Sequence, residues 1–337
     1  MIRVGNAREK TTGFALLFGL LLLAACVRVC LGPIAIDNQL ALTFALPTES
    51  IAALRATSLL SAACVGAALG LSGLALQVLL RNPLASPFVL GVSSGAGFGV
   101  ALVLALAYAC ALPAMTFGGE VGGAIVGALA ALGLVAWFGR GRSGTHDTTT
   151  LVLCGVVLGS IFSAGTMLLE QVVPHGLRGD LLSWMSGRLP EVPDRFNLTV
   201  LALCTLSGVI LLSARAAALD VSCLSDDEAQ SSGVNLRTLR ATLFLVGGVL
   251  AAVAVAYAGP IGFIGLIAPH FARRLVGASH RTLVIGSAIA GALLLVSADV
   301  IRQIIDVGTG RLPVGVLTAL AGGPVFLWLL RSKRWLR

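Results

Sequence analysis

Charged residues are scarce in this sequence, and lysine is almost absent from it. Only 11% of the 337 residues are charged, whereas about 25% are charged in an average soluble domain. The two lysines are Lys10 and Lys333, and neither ends the G-x-x-x-x-G-K-[ST] loop that cradles phosphates. The composition therefore excludes an ordinary soluble domain, and we expect any ATP hydrolysis to occur on another chain.

The histidines and cysteines do not form a recognisable chemical site either. The four histidines, at positions 146, 175, 270 and 280, lack H-E-x-x-H or any other metal-binding spacing. The seven cysteines include no C-x-x-C pair, and all but Cys223 lie in or beside apolar runs. We interpret the cysteines as small buried apolar residues. The sequence thus offers no catalytic or metal-binding residue.

Long apolar runs dominate what remains. Apolar residues make up 57% of the chain, and the mean hydropathy is +0.97. Continuous runs of about 20 residues predict membrane-spanning helices, whereas a β-barrel would alternate apolar and polar positions. The fold class predicted is therefore an all-α polytopic membrane protein. Its ten predicted spans are 13–35, 53–76, 88–110, 114–138, 149–170, 197–217, 241–258, 261–276, 282–304 and 313–331.

The first apolar run also resembles a signal peptide, because it follows three basic residues near the start of the chain. It is longer than a typical signal core, and no A-x-A cleavage pattern follows it. We therefore interpret it as a retained first span. With ten spans, both termini lie on the same side of the membrane.

The basic residues predict which side that is. If both termini are cytoplasmic, 16 of the 23 basic residues lie on the cytoplasmic side and the other 7 lie outside. Cytoplasmic loops are enriched in lysine and arginine, so this orientation is favoured. The net charge of +8 then follows from topology, and we expect no nucleic-acid partner.

One long polar stretch, residues 219–240, interrupts the apolar pattern on the predicted cytoplasmic side. Ser225 and Glu228 have the spacing of a capping box, which predicts a short helix over about 226–232. Gly233 is suited to end that helix, and a second helix is predicted to start near Asn235. The acids that the helix dipole favours in the first turn are Asp226, Asp227 and Glu228. This segment is either a solvated linker or a surface that docks a partner.

Two other stretches break the helical pattern within apolar territory. Residues 81–99 contain two prolines, and residues 258–274 contain two prolines and three glycines. Irregular backbone at membrane depth survives where protein or a water-filled cavity satisfies it, as beside transport paths. Rows of glycine at four-residue spacing also predict close helix packing. Similar pentapeptides at 65–69 and 246–250 suggest that the single domain, 1–337, has two halves of about 1–170 and 195–337.

Acidic residues inside the predicted spans are few, and Asp299 has the most apolar neighbours. An ion-coupled carrier needs intramembrane ionisable groups on its path. Alternatively, Asp299 pairs with Arg302 three residues later as a structural ion pair. Both interpretations remain open from the sequence.

Four separated motifs resemble the FecCD/BtuC-type permeases of type II ABC importers, and the resemblance covers nearly the whole chain in the family's order. The motifs are RNPLASPFVLGVSSGAGFG, GPIGFIGLIAPHFARRLVG, SADVIR and LPVGVLTALAGGPVFLWLL. That family imports ferric siderophores, haem or cobalamin. The resemblance implies a second permease copy in a homodimer, two cytoplasmic ATP-binding subunits that carry ATP and magnesium, and a periplasmic substrate-binding protein. It implies no cofactor in this chain itself.

The resemblance also implies roles for individual residues. Residues 219–240 are similar to the family's cytoplasmic coupling segment, which docks on the ATPase. The positions that match its pattern or its helix start are Ser225, Asp226, Asp227, Glu228, Ala229 and Gly233. A cytoplasmic gate is implied at Asn82 and Leu84, with a second gate region at Thr148 and Thr149.

Docking of the binding protein is implied at Arg55 and Arg302, but the sequence departs from the family pattern at both. The family motif R-L-P-R reads R-A-T-S here, so Thr57 and Ser58 replace its proline and second arginine. Arg302 stands one residue earlier than the family's arginine after the Asp299 position. Outside docking therefore rests on fewer charges than is usual in the family.

The sequence thus predicts the membrane subunit of an ATP-driven importer in the bacterial inner membrane, which moves a ferric siderophore or haem into the cytoplasm. A cobalamin permease of the same family is the nearest alternative. An ion-coupled secondary transporter is an alternative from another class, and it would move substrate without any ATPase. An integral membrane enzyme is a third class, which the missing phosphate loop and metal spacing disfavour.

Overall fold

The chain folds almost entirely into helices, as the apolar pattern predicts. The computed structural model describes residues 7–36, 39–44, 48–110, 118–139, 148–305 and 312–331. The predicted cytoplasmic position of the termini concerns residues 1–6 and 332–337, which lie outside the described ranges. The helices in these ranges are α1 (Ala7–Cys30), α2 (Glu49–Leu79), α3 (Val92–Ala109), α4 (Gly118–Phe138), α5 (Thr148–Val172), α6 (His175–Met185), α7 (Arg195–Ala214), α8 (Ala216–Ser222), α9 (Asp226–Ser231), α10 (Leu236–Ala258), α11 (Ile264–Val276), α12 (His280–Ile304) and α13 (Val314–Arg331).

Eight of these helices are long and apolar enough to cross a membrane, namely α1 to α5, α7, α10 and α12. Two shorter helices occupy the remaining predicted spans. The apolar part of α13 is Val314–Trp328. Helix α11 has 13 residues and is about 20 Å long, less than the hydrocarbon core of about 30 Å. The structure is therefore a polytopic membrane fold in which α11 is too short to cross the hydrocarbon core by itself.

A β-hairpin is the exception to the predicted all-helical fold. Strand β1 (Leu31–Ile36) pairs antiparallel with β2 (Gln39–Phe44). The first span, predicted to reach residue 35, consequently ends at Cys30. Pro33 explains the difference, because proline lacks an N–H and disfavours helical geometry in the residue before it.

Helix α2 forms the centre of the bundle. Of its apolar window, 72% is buried, and it packs against α10, α11 and α12. The glycine rows allow this packing, since a β-carbon added at Gly66 in α2 would overlap the carbonyl oxygen of Gly291 in α12. A β-carbon at Gly99 in α3 would likewise overlap the carbonyl of Gly123 in α4. The predicted close packing of these helices is confirmed.

The two predicted breaks lie side by side. The first comprises a loop at 81–86 and a 3₁₀ turn, Pro87–Leu90, and the second separates α10 from α11 at 259–263. A β-carbon added at Gly265 would lie 3.1 Å from Cδ of Pro87. Close by, the Gln77 amide donates a 3.2 Å hydrogen bond to the carbonyl of Leu266. Side chains and neighbouring backbone thus satisfy the irregular segments inside the bundle.

Helices α2 and α10, which carry the two similar pentapeptides, pack against each other. The Ser72 hydroxyl of α2 donates a 2.5 Å hydrogen bond to the carbonyl of Gly247 in α10. This contact makes the two helices neighbours, while the division of the domain into two related halves stays a prediction.

Candidate functional site

The polar segment 219–240 has the local structure that its sequence predicts. Helix α9, Asp226–Ser231, begins after Ser225, and α10 begins after Asn235, whose side chain accepts a 3.0 Å hydrogen bond from the Thr238 N–H. Gly233 ends α9 with a φ of +81°. The Val234 N–H donates to the carbonyl of Ala229 at 3.1 Å. These bonds make the segment two ordered helix ends joined by a tight turn.

The capping box that starts α9 involves Ser225 and Glu228. The Glu228 N–H donates to the Ser225 hydroxyl at 3.3 Å. In return, the Glu228 carboxylate accepts hydrogen bonds from the Ser225 N–H at 3.0 Å and from the Ser225 hydroxyl at 2.7 Å. These bonds hold the pKa of Glu228 below its ordinary value. Glu228 therefore acts on its own helix, and its carboxylate is already engaged.

Asp226 is joined to two arginines that the sequence did not associate with it. Arg240, in the first turns of α10, donates to both carboxylate oxygens at 2.8 Å. Arg81, in the loop after α2, lies 2.6 Å from the same carboxylate. The hydrogen bond from Arg240, together with the charges of both arginines, holds the pKa of Asp226 below its ordinary value. We call Arg81, Asp226 and Arg240 the arginine bridge.

The other two residues predicted on the docking face point in opposite directions. Ala229 is 0% exposed, so it packs into the bundle, and its predicted coupling role stays a prediction. Asp227 is exposed, and among the described residues its carboxylate has no hydrogen-bond or ion-pair partner. Of the three acids in α9, Asp227 is thus the one whose carboxylate is not engaged by another described residue.

The predicted gate residues Asn82 and Leu84 lie in the loop that follows α2. The Asn82 side chain accepts a 2.9 Å hydrogen bond from the Leu84 N–H, and the Asn82 N–H donates to the carbonyl of Gln77 at 3.1 Å. Leu84 is 38% exposed. The turn is tight because Arg81 adopts a φ of +47°, a conformation that costs a non-glycine residue about 1–2 kcal/mol. The loop therefore has a fixed shape and presents an apolar side chain.

The second predicted gate region is separate from this loop. Thr148 and Thr149 form the first turn of α5, and Thr149 is exposed. Within the described ranges, no hydrogen bond joins either threonine to residues 82–84. Helix α5 does contact the 3₁₀ turn, because a β-carbon at Gly155 would overlap the carbonyl of Val89. The gate role of all four residues stays a prediction.

A groove between α5 and the 3₁₀ turn is a feature that the sequence did not indicate as a site. Its volume is about 470 Å³. Three of the residues that line it are bulky and apolar, namely Phe88, Val89 and Val156. The others are small, hydroxyl-bearing or flexible: Ser94, Gly155, Gly159, Ser160, Ser163, Ala164 and Met167. The sequence feature that could have indicated the groove is the serine and glycine content of α5, which is otherwise apolar. A surface of this kind suits a solvated path better than lipid.

The two arginines predicted to dock the binding protein are buried. Arg55 is 5% exposed and donates to the carbonyl of Val29 at 2.7 Å. Arg302 is 4% exposed and lies 2.8 Å from Asp299. Each guanidinium is thus enclosed and bonded within its own chain, and the predicted docking role of both arginines stays a prediction.

Asp299 lies within this buried cluster. The predicted pair with Arg302 is present, and Arg28 of α1 forms a second ion pair with the same carboxylate. Sequence inspection missed Arg28 because it lies 271 positions from Asp299. Two guanidiniums more than offset the single negative charge of this carboxylate. Asp299 is therefore not the unpaired intramembrane acid that an ion-coupled carrier requires.

Comparison with known proteins agrees with the architecture of the coupling segment and the bundle. Residues 19–332 match the model of the FecCD transport family. The chain is 36% identical over 281 residues to the hemin transport system permease protein HmuU of Yersinia pestis, covering 83% of each chain. It is 38% identical over 278 residues to the vitamin B12 import system permease protein BtuC of Vibrio cholerae, covering 82% of this chain and 81% of the relative.

A solved structure supports the same assignment. It is described as an inward-facing conformation of a metal-chelate type ABC transporter. It is 28% identical to this chain, and the superposition has a TM-score of 0.82 over 96% of this chain and 99% of the other. The family model covers most of the chain, and relatives of nearly full length exceed one third identity. This protein is a permease that belongs to the FecCD transport family.

Proposed function

We propose that this permease imports an iron-chelate complex, a ferric siderophore or haem, across the inner membrane, and that it is driven by separate ATP-binding subunits. The observation that carries the proposal is α9, an ordered, acid-bearing helix between two apolar helices, with Asp227 exposed on its surface. A capped helix of six residues outside the hydrocarbon region is suited to dock a partner.

The ATP-binding subunits dock on the exposed side of α9. A concave surface of about 550 Å³ adjoins this helix, and Gln230, Val234 and Arg237 line part of it. Asp227 supplies a negative charge that no group on this chain neutralises within the described residues. A basic side chain on the ATPase would complement that charge. ATP and magnesium bind on that subunit, and the coupling segment lies in the cytoplasm together with the termini.

The substrate path runs along α5, opposite a second copy of the permease. Helices α1 and α5 are the least buried of the spans, each with 17% of its window buried, but their exposed faces differ. That of α1 carries large apolar side chains such as Phe18 and Leu23, which suit lipid. That of α5 includes the hydroxyls of Ser160 and Ser163 beside the groove. A dimer that closes over α5 would enclose a polar path.

The names of the relatives support the proposed substrate class, and a second candidate has support of its own. The relative from Yersinia pestis is named for hemin, and the solved structure is described as metal-chelate type. Cobalamin is the second candidate, because the Vibrio cholerae relative named for vitamin B12 is 38% identical over 278 residues. Binding proteins select the substrate in such systems, so the permease residues alone do not separate these two.

The test is reconstitution of the permease in liposomes with the ATPase and binding protein encoded beside it. Radiolabelled ferric siderophores, haem and cobalamin are offered in turn, with and without ATP inside the vesicles. We expect uptake of an iron chelate that requires both partner proteins and ATP. Uptake of cobalamin alone would select the second candidate.

A second part of the experiment uses an ion gradient to distinguish ATP-driven import from secondary transport. Liposomes that contain the permease alone receive a proton or sodium gradient and the same substrates. We expect no uptake above that of empty liposomes, because the buried acid Asp299 is already paired with two arginines. Gradient-driven uptake by the permease alone would overturn the proposed function.

A further inference from the structure

Asp226 connects α9 to two other parts of the chain. Arg240 binds both oxygens of its carboxylate at 2.8 Å from α10, and Arg81 approaches one oxygen at 2.6 Å from the loop after α2. Arg81 and Asp226 are 145 positions apart, and no secondary-structure element joins them directly. The arginine bridge is thus a through-space connection between the helix proposed to dock the ATPase and the loop proposed to form the gate.

Arg81 is attached to the coupling segment at more than one point. Besides the Asp226 carboxylate, its guanidinium donates to the carbonyls of Ser222 at 3.1 Å and Leu224 at 3.0 Å. The first carbonyl lies at the end of α8, and the second lies on the turn that leads into α9. All three contacts are made by one nitrogen of the planar guanidinium, Nη2, which thus holds the backbone and the carboxylate together. A displacement of α9 therefore carries the Arg81 side chain with it.

Arg81 is in turn rigidly connected to Leu84. Asn82 follows Arg81 directly, and its side chain accepts the hydrogen bond from the Leu84 N–H at 2.9 Å. The Asn82 carbonyl accepts a second bond, from the Ala85 N–H at 3.0 Å. Residues 81–85 consequently move as one compact turn. A movement of Arg81 therefore also displaces Leu84.

We propose that Asp226 is a positioning residue that transmits movement of α9 to the Asn82–Leu84 loop through Arg81. The proposal rests on the proposed function, and it assigns different tasks to three adjacent acids. Glu228 caps α9, Asp227 faces the ATPase, and Asp226 holds the gate loop.

The exposure of the bridge suits a contact that transmits movement without fixing the bundle in one state. The side chains of Arg81 and Asp226 are 42% and 41% exposed. Ion pairs this accessible to water contribute little to overall stability. Asp226 and Arg81 can therefore move together between two arrangements of the bundle at little cost in stability, as a two-state coupling element requires.

The test follows labelling of a cysteine at Leu84 in the assembled complex. The permease carries Leu84→Cys and has its seven native cysteines replaced, and it is reconstituted with its ATPase. The rate of reaction with a water-soluble maleimide is compared between nucleotide-free and ATP-bound states. We expect a nucleotide-dependent change in the parent chain and a reduction of that change by about fivefold or more in Asp226→Asn. This readout requires no substrate.

Two further variants make the result specific. Arg81→Gln should have the same effect on labelling, and combining it with Asp226→Asn should add nothing, because both variants break the contact between Arg81 and Asp226 through which the movement is transmitted. Asp227→Asn removes the same charge from the neighbouring position. It should weaken binding of the ATPase but keep the full labelling change when the ATPase is saturating.

Each outcome bears on a different proposal. If labelling of the parent Leu84→Cys chain is identical with and without nucleotide, the gate assignment falls, and the role of Asp226 falls with it. If the parent responds and Asp226→Asn responds equally, with the ATPase bound, only the role of Asp226 is overturned. Additive losses in the double variant would also overturn it, since two independent contacts would then be acting.

Discussion

Arg28 of α1 and Asp299 of α12 form a buried ion pair across 271 positions of sequence. Arg302 binds the other oxygen of the same carboxylate at 2.8 Å. The side chains of Arg28, Asp299 and Arg302 are 7%, 1% and 4% exposed. One carboxylate thus fastens α1 to α12, the last of the eight long apolar helices, and its single negative charge offsets part of the positive charge of two arginines that are shielded from water.

We expect Asp299→Asn to lower the free energy of unfolding by about 3 kcal/mol, because it leaves two buried guanidiniums without their counter-ion. Denaturant unfolding of the permease in detergent micelles measures the change. Arg188→Gln is the matched control, since it removes an ion pair with Glu191 whose partners are 50% and 55% exposed. That control should cost less than about 1 kcal/mol. Equal losses in the two variants would contradict the buried-pair argument.

Close packing of glycines gives a second, independent test of the bundle. A β-carbon added at Gly73 in α2 would overlap the carbonyl oxygen of Gly265 in α11, whereas one added at Gly133 in α4 would meet nothing within 4 Å. We expect Gly73→Ala to destabilise the permease by about 2 kcal/mol or to prevent its accumulation in the membrane. Gly133→Ala should be neutral or stabilising by up to about 1 kcal/mol, because alanine favours helix. The same unfolding assay, with membrane expression levels, compares them.

What the sequence predicted correctly was local. The capping box of Ser225 and Glu228 spans three residues, and the stop at Gly233 depends on one backbone conformation. The close approach of Gly66 to another helix follows from a four-residue repeat on one helix face. Interactions within a turn or along one helix leave a periodic trace in the sequence, so they can be inferred without knowledge of the fold.

What the sequence did not predict depends on which elements become neighbours. The contact of Arg81 with Asp226 and that of Arg28 with Asp299 join distant segments, and no spacing rule relates them. The burial of Ala229 had the same origin, because the pattern of α9 does not say which side faces the bundle. The enclosure of Arg55 by the hairpin and the end of α1 was not predicted either, because a motif gives its position in the chain and not its neighbours in the fold.

The capping role of Glu228 predicts a difference between two substitutions at that position. Glu228→Gln keeps an oxygen that accepts from the Ser225 N–H, so α9 should remain ordered. Glu228→Arg removes that acceptor and places a positive charge at a helix N-terminus, where the dipole is unfavourable. We expect several-fold faster hydrogen exchange of the α9 amides in Glu228→Arg, and weaker ATPase binding as a consequence.

Hydrogen-exchange mass spectrometry and an ATPase titration on the same samples check this prediction. The two measurements distinguish capping from direct contact. A direct contact of Glu228 with the ATPase would weaken ATPase binding in both variants without faster hydrogen exchange of the α9 amides. If Glu228→Gln binds the ATPase as weakly as Glu228→Arg while α9 stays protected, Glu228 contacts the partner, and the capping explanation is wrong.

The groove along α5 predicts that a bulky side chain there blocks transport but leaves energy coupling intact. Ser163 lines the groove and is exposed, so Ser163→Trp adds volume to the proposed path without disturbing a buried contact. Leu203 of α7 is 60% exposed on an apolar face, and Leu203→Trp is the control for the same bulk against lipid. We expect Ser163→Trp to reduce ATP-driven uptake to near background and Leu203→Trp to retain it.

ATPase binding should match that of the unmodified permease in both variants, because neither residue is near α9. If Ser163→Trp retains uptake, the substrate path does not run along α5. If Ser163→Trp loses ATPase binding together with uptake, the substitution disturbs the fold and not the path.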